Sequence, residues 1–408
     1  MRFLHVSDTH LGHRRWNLPE REKDFYDVFN EVADIAIREK VEAILHAGDM
    51  FDKSDPPPQT YVRTYEILKK LKDHGIRFYV VAGNHEIPTT IKESPLRVFE
   101  KMDLLKILSL REVGKEIFRD SQGYDVEIYG YSKDVANKFF EEKLNPPNNK
   151  EVVRIALIHT LVCEPLQLYL NWSEEMCRDR GMKFLRSTVN KDVFNYIALG
   201  DLHIKWEGRV GESPAVYPGS TEALDRGEAF DTQYRFIERY VYLVEADPGE
   251  TRYKPIKLES TRPWLYIETL DHRDLIDNKL REINWRSFRK PPILVISLRK
   301  KPSSIEYEAL TKKLNELIDN RSVLKIDNIL YSDEEIIPLY DVREISGENV
   351  VVSIDSVLNE LFKDQVITGL LSGFIDEKIS EEEFIKKLRG DKDLLNRFYE
   401  KISGVKVS

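Results

Sequence analysis

Apolar and polar positions along this chain recur in two periods, and the alternation between them lays out its elements. Arg2-Phe3-Leu4-His5-Val6, Ala43-Ile44-Leu45-His46-Ala47 and Phe78-Tyr79-Val80-Val81-Ala82 are short, nearly continuous apolar runs, as strands covered on both faces are. Between the first two, Phe25, Val28, Phe29, Val32, Ile35 and Ala36 recur at helical spacing and predict a helix from about Glu20 to Glu39. Pro56-Pro57-Pro58 stops any extension after the second run. It opens another helix with Tyr61, Tyr65, Leu68 and Leu71 on one side. Strand, helix, strand, helix, strand makes two crossovers, hence an α/β fold around a parallel sheet. Val126 to Tyr131, Val152 to His159 and Phe194 to Leu199 read as further strands of one sheet. Tyr217-Pro218-Gly219-Ser220 reads as a turn, and Arg239 to Glu245 with Tyr253 to Leu258 as a closing hairpin around Asp247-Pro248-Gly249.

Thr261-Arg262-Pro263 reads as a boundary, so residues 1–260 form the first expected domain. Beyond it, Trp264 to Leu270, Leu275 to Ile283, Ile293 to Leu298, Ile305 to Ile318 and Val323 to Leu330 alternate strand and helix in a smaller α/β unit, residues 261–331. Residues 332–354 are acidic and aperiodic, a linker. Residues 355–408 are predicted helical: Ser380 with Glu383 makes a capping box, and Phe384, Leu388, Leu395, Phe398 and Ile402 form an apolar stripe. A stripe of this kind with no core of its own marks a partner site, unless the tail folds back on its own chain.

Length and composition narrow the function. The chain has 408 residues, 41% hydrophobic and 33% charged, which predicts a soluble protein of more than one domain. No apolar run approaches the about 20 residues of a membrane helix. The N-terminus enters a strand with no signal-peptide pattern, so a cytoplasmic location without membrane attachment is expected. A net charge of -9 argues against a surface coated for nucleic acid, though not against local basic patches. Cys163 and Cys177 have neither metal-site nor redox spacing and are expected to be buried or incidental thiols.

The candidate chemistry lies where the strands end, the place where ligands collect on α/β sheets. Asp8 and His10, Asp49, Asn84 and His85, His159, and Asp201 with His203 all follow apolar runs directly. Side chains two apart on an extended segment share a side, so Asp8 with His10, and Asp201 with His203, can each grip one ion. Oxygen and imidazole ligands without thiolate suit manganese, iron or zinc. Asp49, using both oxygens, could bridge two ions, and a pair about 3.5–4 Å apart activates water and clamps a phosphoryl group. His5 and His46 fall inside strands and read as core histidines, while His13 and His74 read as surface residues.

Asp8-Thr9-His10, Gly48-Asp49, Gly83-Asn84-His85, His159 and Gly200-Asp201-Leu202-His203 resemble the signature motifs of calcineurin-like metallophosphoesterases. More narrowly, Asp8-Thr9-His10-Leu11-Gly12, Leu45-His46-Ala47-Gly48-Asp49-Met50-Phe51 and Tyr217-Pro218-Gly219-Ser220 resemble the DNA double-strand-break repair nucleases of the Mre-eleven and SbcD type. The resemblance implies a metallophosphoesterase core of sheets flanked by helices, a capping domain over residues 261–331 that presents DNA, and a helical C-terminal tail. It further implies two manganese ions per subunit, one held by Asp8, His10, Asp49 and His203, the other by Asp49, Asn84, His159 and Asp201. His85 would face the scissile phosphate. The implied activity is manganese-dependent 3′–5′ exonuclease and single-strand endonuclease processing of DNA ends. The implied partners are a second copy, through the helices after Asp49 and Asn84, and an SMC-like coiled-coil ATPase of the Rad-fifty or SbcC type, docked by the tail. Lys53, Lys92 and Lys205, near the motifs, are candidate phosphate contacts. Two positions depart from the pattern. The family's last motif usually reads Gly-His-x-His, where this chain has Asp201 first, and Asp52 stands where many relatives carry a histidine. A small-molecule or cyclic-nucleotide phosphodiesterase and a catalytically weak DNA-end scaffold are the alternative readings.

Overall fold

The computed structural model describes residues 1–87, 93–146, 151–231 and 233–331. The N-terminal apolar runs become β1 (Arg2–Val6), β2 (Ala43–His46) and β3 (Arg77–Val81), which pair in parallel and alternate with helices α1 (Pro19–Arg38) and α2 (Pro58–Asp73). Helix α3 (Leu96–Lys101) then leads to β4 (Lys106–Ser109), β5 (Gly114–Arg119), β6 (Asp125–Tyr131) and β7 (Val152–His159). The chain continues through β8 (Tyr196–Gly200), β9 (Trp206–Val210), β10 (Ser213–Tyr217) and the hairpin of β11 (Tyr240–Ala246) with β12 (Thr251–Lys257).

These strands form two six-stranded sheets, ordered β12-β11-β1-β2-β3-β4 and β5-β6-β7-β8-β10-β9, where the sequence suggests one. The unbroken apolar runs explain the arrangement. In β1 to β3, Phe3, Ala43, Leu45, Tyr79 and Val81 point into a core shared with Val153, Ile155, Leu157 and Ala198 of the second sheet. Their alternates Leu4, Val6, Ile44, Phe78 and Val80 pack beneath α1 and α2. Such runs report burial on both faces but not which sheet lies opposite. The apolar stripe of α1, from Phe25 to Ala36, sits wholly in the helix-side core. On α2, Leu68 and Leu71 are core, whereas Tyr65 is 42% exposed, so Tyr61, Tyr65 and Leu68 do not form one free face.

Cys163 and Cys177 are joined in a disulfide, which corrects the expectation of two thiols. Helices Cys163–Leu170 and Glu174–Asp179 pack together after β7 and bring the two Cα atoms to 5.9 Å. Nothing in a separation of 14 residues foretells that contact.

A third sheet, β13 (Trp264–Thr269), β14 (Ile293–Leu298) and β15 (Lys325–Tyr331), is parallel throughout. One face packs on helix Ser304–Asp319 through Leu310, Leu314 and Leu317. Trp264, Ile293, Val295 and Leu330 pack instead with Ala223, Ala229 and Phe230 of the first part, alongside Trp16. A buried ionic cluster adds to that junction. Asp24 pairs with Arg21 at 2.7 Å, Arg262 at 2.5 Å and Lys290 at 3.0 Å. Because Asp24 is paired several times over, its burial is tolerable. No helix among the described residues is long and apolar enough to cross a membrane. Lys92, the linker 332–354 and the tail 355–408 lie outside the described residues.

Candidate metal centre

Parallel register puts the strand ends in line: Val6 faces His46, His46 faces Val80, and His159 faces Gly200 across the second sheet. The loops continue the pairing. Asp8 N–H donates to Gly48 O at 3.0 Å, His10 N–H to Asp49 O at 3.1 Å, and Thr160 N–H to Gly200 O at 3.0 Å. The turns are sharp. Asp8, His10 and Asp49 have φ of 52°, 42° and 51°, and Asp201 has 100°, conformations that residues with a Cβ rarely adopt. Strain of this kind collects where side chains must be aimed, and costs about 1–3 kcal/mol per residue. Gly48 and Gly83 admit the centre's own side chains: a Cβ at Gly48 would strike the His159 ring, and one at Gly83 the Asp49 carboxylate.

Ligand atoms of Asp8, His10 and His203 lie within 4.8 Å of one another, as do those of Asp8, Asp49 and His159, and those of His10, Asp52 and His85. His10 Nε2 meets His203 Nε2 at 3.2 Å. His159 Nε2 lies 3.5 Å from Asp49 Oδ2 and 3.7 Å from Asp201 Oδ1. Asp201 N–H contacts both oxygens of Asp8 at 3.2 Å. His159 Nε2 and Asn84 Oδ1 are buried with no hydrogen-bond partner. Buried polar atoms of this kind are costly without a partner, and an imidazole nitrogen and an amide oxygen are both ordinary ligands for a divalent cation. The residues present therefore fit a divalent metal.

An outer layer orients the imidazoles, as metal-ligating histidines require. His159 Nδ1 donates to Ala47 O at 2.7 Å, and His203 Nδ1 to Glu228 Oε1 at 2.7 Å, so each turns its Nε2 inward. The Tyr217-Pro218-Gly219-Ser220 turn braces His203. Ser220 N–H donates to His203 O at 3.1 Å, Ser220 Oγ lies 3.3 Å from Glu228 Oε2, and Gly219 has φ 86°, where a Cβ would press on His203 O at 2.8 Å. Glu86 is fully buried and accepts from the N–H groups of Phe51 at 2.7 Å, Gly83 at 2.8 Å and Asp49 at 3.1 Å, tying two ligand loops together. His85 is 38% exposed in its side chain and stands at the rim. Its Nδ1 donates to Asp52 O at 2.5 Å, and its Nε2 is 3.9 Å from Asp49 Oδ2.

The charges favour cations at this point. Burial alone would lower His159, yet Asp49 and Asp201 raise it to about 10. His203 is likewise raised to about 10, burial being outweighed by Glu228, Asp8 and Asp49. Burial pushes Asp8 up to about 6 against the pull of His203 and His159. Burial also pushes Glu86 up to about 7, with Asp49 adding to it. Asp49 is held well below the usual carboxylate range: burial works against this, and His159 and His85 override it. His5 and His46 behave differently. Burial drives each to about 3, and they bond to Tyr196 OH at 3.1 Å and Thr9 Oγ1 at 3.0 Å.

The remaining positions divide. His74 is exposed, but His13 is half-buried and donates to Asp52 Oδ1 at 2.7 Å, a contact its spacing does not announce. Lys53 is exposed, while Lys205 lies over the Tyr240 ring at 4.6 Å. Glu86, Glu228, Arg239 and Lys133 are the functional-looking residues that sequence reading passes over. Arg239 donates to His203 O at 2.9 Å, and Lys133 pairs with Asp201 Oδ2 at 2.6 Å. Glu86 offers a faint signal, sitting one residue past a motif. The others offer none.

Comparison with known proteins agrees with this geometry. The calcineurin-like phosphoesterase family matches over residues 1–205. The chain is 37% identical over 404 residues to the DNA double-strand break repair protein Mre11 of Sulfolobus acidocaldarius, covering 96% of this chain and 100% of that one. To the protein of the same name from Sulfurisphaera tokodaii it is 30% identical over 358 residues, covering 85% and 86%. With that of Saccharolobus solfataricus the figures are 27% over 427 residues and all of both chains.

Proposed function

Since this chain belongs to the calcineurin-like phosphoesterases, in the family of the archaeal DNA double-strand break repair proteins Mre11, we propose that it is a manganese-dependent nuclease processing broken DNA ends. The observation that carries the proposal is the convergence of His10 with His203, and of His159 with Asp49, on the shared carboxylate Asp8. One manganese would be held by Asp8, His10, Asp49 and His203, and the second by Asp49, Asn84, His159 and Asp201. Two divalent cations bound there would supply acidity to an attacking water and charge to offset the phosphoryl oxygens.

The chain's own residues do the rest. Glu228 and Ala47 O orient His203 and His159, so the donor atoms are in place before substrate arrives. Asp49 keeps its charge at any working pH, because its folded pKa is depressed. His85 is raised: burial alone would lower it, but Asp49 and the Asp52 carbonyl outweigh that. With Nδ1–H donated to Asp52 O, His85 has Nε2 left to face the reacting phosphate, where its proton would stabilise the developing charge or pass to the leaving 3′ oxygen.

The finer readings follow from the same premise. The activities are 3′–5′ exonuclease and single-strand endonuclease, with Lys53 and Lys205 contacting phosphates and the sheet β13-β14-β15 acting as the capping domain that presents DNA. A homodimer would use α2 and α3, on or beside which Val62, Tyr65, Val98 and Met102 are exposed. The tail, through Phe384, Leu388, Leu395, Phe398 and Ile402, would dock on the coiled coils of an SMC-like ATPase, and removing residues after Gly347 should abolish that binding alone.

Hydrolysis of circular single-stranded DNA and of a chromogenic phosphodiester, each with Mn2+, tests the substrate class. Cleavage of the circle is expected. Hydrolysis of the small ester alone would replace the reading with a small-molecule phosphodiesterase, and inertness towards both with a DNA-end scaffold.

A further inference from the structure

Lys133 opens the helical turn Lys133–Val135 after β6, and its backbone N–H donates to Ala82 O at 3.1 Å. That bond seats it beside the Gly83-Asn84-His85 loop. Its ammonium lies 2.6 Å from Asp201 Oδ2, while Asp201 Oδ1 lies 3.7 Å from His159 Nε2. One oxygen of this carboxylate is thus committed to a lysine and the other faces the centre. Lys133 is 21% exposed in its side chain against 3% for Asp201, so the pair sits at the wall of the site with the carboxylate inside.

The contact has electrostatic and geometric consequences. Asp8, Asp49 and Asp201 place three buried carboxylates together, a concentration of negative charge that is tolerable only where cationic partners offset it. The ammonium offsets the third. A carboxylate with both oxygens free can chelate one ion through both or bridge two. With Oδ2 drawn to Lys133, Oδ1 is the oxygen that Asp201 turns to the centre. Its backbone, at φ 100° and anchored to Asp8, restricts it further.

We propose that Lys133 is a positioning residue of the metal centre, holding Asp201 as a one-oxygen ligand beside His159 and so setting the affinity of that cation site. This rests on the two-cation reading of the cluster. Calorimetric titration of Mn2+ into the full chain tests it, comparing the unaltered protein with Lys133→Met, Lys133→Arg, Asp201→Asn and the Lys133→Met/Asp201→Asn double variant. Lys133→Met should weaken one site about 10–100-fold and leave the other unchanged, as loss of an outer partner of a ligand does. Lys133→Arg, which keeps the charge and the donor, should recover most of the loss. In the Asp201→Asn background, Lys133→Met should add nothing, because the two act as one unit. A merely structural lysine would weaken both backgrounds equally. Unchanged affinities in Lys133→Met, a tightened site, or equal losses in the two backgrounds would overturn the proposal. Should Lys133→Met fail to fold, Lys133→Gln carries the same expectation. An unaltered protein that binds fewer than two Mn2+ would overturn the two-cation reading instead.

Discussion

Replacing Glu86 with alanine removes a buried acceptor from three backbone N–H groups at once, those of Asp49, Phe51 and Gly83. Each N–H left buried without a partner costs about 1–3 kcal/mol, so Glu86→Ala should lose roughly 3–6 kcal/mol once some water entry is allowed for. Glu86→Gln is milder. Oε2 serves Asp49 and Gly83 while Oε1 serves Phe51, so an amide oxygen can replace the first and leave an NH2 facing the Phe51 N–H. One bond is then lost, at about 1–3 kcal/mol. Urea unfolding of the cation-free protein gives the stabilities, and Mn2+ calorimetry on the same samples reads the site. The ordering unaltered, Gln, Ala is expected in both, because the N–H groups Glu86 holds belong to the loops carrying Asp49 and Asn84. A Glu86→Ala protein within about 1 kcal/mol of the unaltered one, the range of ordinary surface changes, and with both cations tightly bound, would refute the reasoning.

His85→Gln should keep both cations by calorimetry yet lose about 10²–10³-fold in DNA cleavage rate, the scale of one transition-state hydrogen bond. A missing cation would make His85 a ligand. In the cation-free protein His159 and His203 are raised to about 10, so both are charged at neutral pH and must lose protons before Nε2 can bind a cation. Manganese affinity should therefore strengthen as pH rises towards 10, with about two protons released per subunit near neutrality. Calorimetry in buffers of different ionisation enthalpy measures this, and no release would contradict it. Reducing Cys163–Cys177 opens a loop of separation 14, worth about 3 kcal/mol in a chain-entropy account, so reductant should lower the urea midpoint. An unchanged midpoint would mean the bond does not brace the helices after His159.

The candidate ligand positions were legible in the sequence because strands buried on both faces announce their own ends, and Asp8, Asp49, Asn84, His159 and Asp201 lie at or just past those ends. Helix α1 was legible for the same reason in another period, its stripe from Phe25 to Ala36 being all core. Which sheet each strand joins was not, since Val153 and Leu45 read alike and meet only in the folded core. The short, half-exposed β5 and β9 lack any run to detect, with alternate residues open to water. The outer layer was the least visible. Glu228, Arg239 and Lys133 lie 25, 36 and 68 residues from the ligands they hold, and no local pattern encodes such distances. The disulfide stayed hidden likewise, because the local path of two short helices brings the cysteines together.

Cations gathered by Asp49 and its neighbours are proposed to cut DNA. Digestion of end-labelled linear duplex DNA by the unaltered protein and by Asp49→Ala, in Mn2+ and after chelation, tests it most directly. Nucleotide release is expected only from the unaltered protein in Mn2+. Equal release by Asp49→Ala, or release that survives chelation, would contradict the account.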